Sequence, residues 1–125
     1  RTLVYLKRAV FDAITDVAMG MGNDLLTFMA VGSHADRDKP EGLHNDYDFL
    51  YVFEGLTWKR FQTLRCRLDE ATAKVSLIDH RVYVDDRLGP IKPQGDTPKV
   101  SMVQPLVFDR ESFAKYVAAT LSPPR

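Results

Sequence analysis

The stretch that most constrains this chain runs from Asp46 to Phe53 and alternates without a break. In an extended strand successive side chains point to opposite faces. Tyr47, Phe49, Tyr51 and Phe53 therefore share one face, and Asp46, Asp48, Leu50 and Val52 share the other. Tyr47 and Phe49 belong in a covered layer, while two carboxylates stand side by side on the opposite face at the start of the strand.

Helical periodicity flanks this strand. Leu3, Leu6, Val10, Ile14 and Val17 recur at three- and four-residue steps and form one stripe, with Lys7, Arg8, Asp12 and Asp16 off it. The Gly20-Met21-Gly22-Asn23 turn ends that helix. Leu25 to Val31 is an apolar run of strand length whose two apolar faces predict a central, buried strand. After Gly32-Ser33 comes a polar loop, His34 to Asn45.

Beyond Phe53, Thr57 is placed to cap a second helix whose stripe is Trp58, Phe61, Leu64, Leu68 and Ala71, read here as core. Val75 to Asp85 reads as one or two strands, and Gly89 to Pro98 as an irregular connection. Val100 to Phe108 is a further strand, expected at a sheet edge because Pro105 has no amide to donate. Asp109 caps a last helix. The order α-β-β-α-β-β-α predicts an α+β domain, one mixed sheet with helices packed mainly on one face.

Length and composition fit a single domain spanning 1–125. The 125 residues include 45% apolar and 27% charged residues, a globular balance that argues against wholesale disorder. Seventeen basic residues offset seventeen acidic ones, so no overall field draws the chain to nucleic acid or a membrane surface. Cys66 is the one cysteine, which excludes an internal disulfide and fits a reducing, cytoplasmic setting. No apolar run approaches a membrane span of about 20 residues. Arg1, Lys7, Arg8 and Asp12 in the opening segment do not read as a signal peptide.

Chemistry concentrates between the two strands. Asp46 and Asp48 repel each other unless a cation stands between them. Oxygen ligands suit Mg²⁺, the ion that also bridges triphosphate oxygens. Gly32 lets a phosphate approach the backbone, and Ser33 offers a hydroxyl and an amide to it. These are the parts of a two-metal phosphoryl-transfer site. The plain alternative is a Gly-Ser turn beside two solvated aspartates.

Val31-Gly32-Ser33, the loop His34 to Asn45, and Asp46-Tyr47-Asp48-Phe49 together resemble the nucleotidyltransferase superfamily related to DNA polymerase β, in particular its minimal and antibiotic-modifying members. The likeness covers Leu25 to Phe53 closely and the rest through element order. It implies metal-dependent transfer of a nucleoside monophosphate from a nucleoside triphosphate to an acceptor that the sequence does not identify. It implies Asp46 and Asp48 as Mg²⁺ ligands, and Gly32 and Ser33 as the hold on the phosphates.

A third carboxylate on a neighbouring strand is implied as well. Asp85 is chosen as catalytic residue and metal ligand because it shares parity with Tyr83 if Val82 and Val84 face the helices; Asp86 and Asp79 are the alternatives. Lys92 and Arg87 are candidate cations for the triphosphate, and His34 and His44 flank the loop. His80 reads as a packed or edge histidine. Two departures stand out. His34-Ala35-Asp36-Arg37 occupies the place where relatives often carry Arg-Gly, and no helical acceptor domain follows Arg125. A second copy or a partner protein completing the cleft is one consequence, the sequence being a fragment of a longer chain is another, and a catalytically silent, antitoxin-like binding module of the same fold is the other reading.

Overall fold

The computed structural model describes residues 2–32, 35–36, 44–85 and 99–121, with side chains from residue 6 onward except at 44, 45, 99 and 121. Its elements follow the expected order: α1 (Thr2–Met19), β1 (Leu25–Val31), β2 (His44–Phe53), α2 (Trp58–Val75), β3 (His80–Val84), β4 (Lys99–Asp109) and α3 (Arg110–Leu121).

Local chemistry sets the ends of these elements. The Gly20 amide donates to the carbonyls of Asp16 and Val17, and Gly22, at φ +87°, turns the chain towards β1. At the start of α2 the Thr57 hydroxyl accepts the Arg60 amide at 3.1 Å. Ser76 closes α2 through its amide and hydroxyl, both donated to the Thr72 carbonyl, and its hydroxyl oxygen accepts the Val82 amide at 2.9 Å. Asp109 caps α3 by accepting the Ser112 amide at 2.8 Å. That bond above all holds the Asp109 carboxyl below its ordinary range.

The four strands lie in the order β1-β2-β4-β3. β1 runs antiparallel to β2, whereas β2, β4 and β3 are mutually parallel, so the sheet is mixed and the fold is α+β. The β2 face bearing Tyr47, Phe49, Tyr51 and Phe53 forms the core with Leu6, Val10, Phe11 and Ile14 of α1, Leu64 and Leu68 of α2, and Val82, Val84 and Val103 of the sheet. Each fully buried apolar side chain there contributes roughly 1.5–3 kcal/mol. α1 and α2 thus cover one face. On the other, Phe108 meets Phe113 and Tyr116 of α3 at centroid distances of 5.6 and 5.0 Å.

Three local expectations need correction. β1 is an edge strand, not a central one. Leu25, Phe28 and Ala30 pack against the core, but Leu26 and Met29 are 45% and 48% exposed, because α1 and α2 cover only one side of the sheet. β4, expected at an edge, lies between β2 and β3. Pro105 is tolerated because the ladder with β3 ends at Val84–Val103, just before it. The Asp85 amide donates to the Val103 carbonyl, so Pro105, two residues on, turns its missing amide to the side where β3 has stopped. Trp58, read as core, is 71% exposed and stacks on Phe61 at 5.8 Å, because the first turn of α2 projects past the packed residues Leu64 and Leu68.

Lys7, off the apolar stripe, is also buried. Its stem lies in the α1–sheet layer and its ammonium stands 5.8 Å from the ring centroids of both Phe11 and Tyr47. His80 is buried as a packed histidine, its Nε2 2.8 Å from the hydroxyl oxygen of Ser101.

Candidate functional site

The site grows out of the β1–β2 pairing. Val31, the last residue of β1, is the register partner of Asp48 in β2, so the turn after β1 begins directly beside that aspartate. Gly32 takes φ +82°, a conformation that side chains resist. A Cβ built on Gly32 would stand 2.8 Å from Asp48 Oδ2. Two independent constraints, backbone conformation and close approach, thus require glycine here. The Gly32 backbone lies against one carboxylate oxygen of Asp48, while Oδ1 is shielded from solvent.

Asp46 lies two residues back along β2 on the same face and is exposed, whereas Asp48 is half-buried. Their ring-bearing neighbours Tyr47 and Phe49, each 1% exposed, anchor the strand from the other side. One carboxylate is therefore fixed by its surroundings, and the other is open to an incoming ligand. Of the sequence reading's site residues, Gly32 and Asp48 adjoin, and Asp46 lies on the same strand face as Asp48.

The remaining candidates fall elsewhere. Val82 and Val84 do face the helices, the condition on which Asp85 is chosen, but β3 ends at Val84 and Asp85 lies just past it. The lateral order of the strands also separates Asp85 from the two aspartates. Asp48 pairs with Gln104 of β4, whereas Asp85 follows the Val84–Val103 pair on the far side of β4, its amide donating to the Val103 carbonyl. Asp48 and Asp85 are thus two strand spacings apart, roughly 10 Å. Among the described residues no group of three His, Cys, Asp or Glu side chains is arranged to hold a metal ion.

Asp85 instead lines an open groove of about 1240 Å³ between α2 and the C-terminal half of β4, with Trp58, Phe61, Cys66, Leu106 and Phe108. Its Oδ1 is buried there without a hydrogen-bond partner among the described residues. Asp79 is exposed in the turn before β3. Ser33, His34, Asp86, Arg87, Lys92 and the side chain of His44 lie outside the described residues.

Gln104 is the residue that sequence reasoning passed over. It shares the face of Asp48 and is its direct neighbour on β4, while Met102 is the neighbour of Asp46. Its parity within β4 was readable, but which strand β4 would adjoin was not. No helix among the described residues is long and apolar enough to cross a membrane. Comparison of the chain with family models, with curated proteins and with solved structures finds no match.

Proposed function

We propose that this domain binds a nucleoside triphosphate with Mg²⁺ at Gly32, Asp46 and Asp48 and transfers its nucleoside monophosphate to an acceptor hydroxyl. The observation that carries the reading is the Gly32 turn, at φ +82°, lying against Asp48. A turn that needs a glycine on two counts, beside one of two aspartates on a common face, is more than a solvated strand end requires. The resemblance to the nucleotidyltransferase superfamily rests on these same residues.

The donor set fits the cation. Mg²⁺ is commonly held by one or two carboxylates, with water and substrate phosphates completing its shell, rather than by an all-protein cage. Asp46 and Asp48 are such a pair. Bound there, Mg²⁺ would neutralise phosphate charge and orient the triphosphate. The chain's own residues do the positioning. Asp48 lies against the Gly32 turn, whose missing side chain makes way for the Asp48 carboxylate, and Asp46 is open to solvent. In the reaction the acceptor oxygen bonds to the α-phosphorus and the bond from that phosphorus to the bridging oxygen breaks. Pyrophosphate leaves and the acceptor's proton is released to solvent. Catalysis of this kind is mainly alignment and charge neutralisation.

Calorimetric titration with each nucleoside triphosphate in Mg²⁺, followed by an assay for pyrophosphate release with candidate acceptors, tests the proposal. Absence of any Mg²⁺-dependent nucleotide binding would refute it. One observation favours a second reading. Gln104, an amide, stands beside Asp48, and Asp85 is a strand further away. On that reading the domain is a catalytically silent binding module, and nucleotide would bind without pyrophosphate release under any acceptor.

A further inference from the structure

Lys7 is 1% exposed, a lysine whose stem lies in the apolar layer between α1 and the sheet. Desolvating an ammonium is costly, and an apolar side chain of similar size would fill the same space without that cost. Departures of this kind gather where a fold serves a site rather than its own stability. The position of Lys7 fits that rule. Its ammonium stands 5.8 Å from the ring centroids of both Phe11 and Tyr47, and those two rings meet edge to face at 5.7 Å. Tyr47 is the residue between Asp46 and Asp48 on β2. We propose that Lys7 is a positioning residue for the aspartate-bearing end of β2, holding Tyr47 and through it Asp46 and Asp48 in the geometry that takes the nucleotide. The inference rests on the nucleotide-binding reading above and adds to it a residue of α1 that acts through Tyr47.

The ladder between β1 and β2 ends at the Val31–Asp48 pair. Past it, the strand end carrying Asp46 takes its support from Met102 and Val103 of β4 and from the layer under Tyr47. Successive side chains project from one backbone to opposite faces, so movement of the Tyr47 ring is passed to the aspartates on either side of it. Aliphatic packing is non-directional. A cation, by contrast, is drawn to the face of an aromatic ring by the ring's quadrupole, and that attraction favours one placement of the ring. At 5.8 Å both ring contacts of Lys7 lie within its reach. Lys7 thereby fixes the strand end at a cost in stability.

The test sets stability against binding. Lys7→Met and Lys7→Leu remove the charge and keep an apolar side chain in its place. Thermal melting of the ligand-free proteins is paired with calorimetric titration of a non-hydrolysable nucleoside triphosphate analogue in Mg²⁺. Both variants are expected to melt at or above the native temperature, because a buried charge is gone, and yet to bind the analogue at least tenfold more weakly. Lys7→Arg, which keeps a cation, is expected to recover most of that affinity. Leu68→Ala, under α2, calibrates what lost stability alone does to binding. Binding by a folded Lys7→Met or Lys7→Leu within twofold of native would overturn the inference while leaving the nucleotide reading intact. So would a parallel fall in melting temperature and affinity matching that of Leu68→Ala, or failure of both neutral variants to fold, since either outcome makes Lys7 a support of the core alone. No analogue bound to the native protein would overturn the nucleotide reading itself, and this inference with it.

Discussion

Gly32→Ala separates what the turn does for stability from what it does for binding. Two costs can be worked from the structure. The first is conformational: at φ +82° an L side chain crowds its own backbone, which costs about 1–2 kcal/mol. For a chain of this size each kcal/mol lowers Tm by roughly 4 °C, so a fall of about 4–8 °C is expected. The second is the contact, a Cβ 2.8 Å from Asp48 Oδ2. The atom it meets ends a short side chain, so the carboxylate gives way rather than the strand. That displacement adds little to the loss of stability but moves a proposed metal ligand. Gly22→Ala supplies the control, because Gly22 has a similar φ of +87° and nothing within 4 Å of its added Cβ. Both variants should melt at similarly lowered temperatures in scanning calorimetry. Only Gly32→Ala should weaken Mg²⁺-dependent nucleotide binding, by tenfold or more, a difference of about 1.4 kcal/mol. Binding by Gly32→Ala within twofold of native, or an equal loss in Gly22→Ala, would refute the reasoning.

Other expectations follow from the same structure. Asp48→Asn should stay folded, since Asp48 is only half-buried, but should lose the stabilisation that Mg²⁺ and nucleotide give the native protein, about 2.7 kcal/mol at ~100 times Kd; melting curves with and without ligand measure it. Leu68→Ala empties a fully buried position under α2 and should cost about 3 kcal/mol in urea denaturation. Burial holds the Tyr51 phenol well above its ordinary range, so the fold keeps it neutral while the unfolded chain ionises near pH 10. Stability should therefore fall as pH rises past about 10, and Tyr51→Phe should flatten that alkaline limb in denaturation series. Asp109 has the opposite sign. Its folded carboxyl is held low by Ser112, so its contribution is full above the unfolded value near 4 and is lost as pH falls through the folded value. Asp109→Asn should accordingly reduce the acid dependence of melting between pH 5 and pH 2.

Much of the fold was legible from local pattern. The stripes of α1 and α2, the caps Thr57 and Asp109, and the alternation of β2 are properties of short stretches, and each element appears where its pattern lies. Gly32 was legible as a residue that admits close approach. That the group approached is the Asp48 carboxylate required the β1–β2 register. Trp58 sits at a position of its helix that looks apolar and inward, yet it stands exposed at the groove beside β4, and a helical period carries no information about how closely the opposing layer packs.

Strand parity was therefore settled by sequence alone, because alternation follows from the geometry of a single extended backbone. It put Asp46 and Asp48 on one face before any packing was considered, and left Asp85 conditional on Val82 and Val84 facing the helices. Strand order was decided only by the tertiary structure. Backbone amides and carbonyls are alike in every strand, so nothing within β2 specifies whether it pairs with β3 or with β4. That choice depends on how the whole sheet buries its apolar face against α1 and α2. Inserting β4 between β2 and β3 made Gln104, and not Asp85, the neighbour of Asp48.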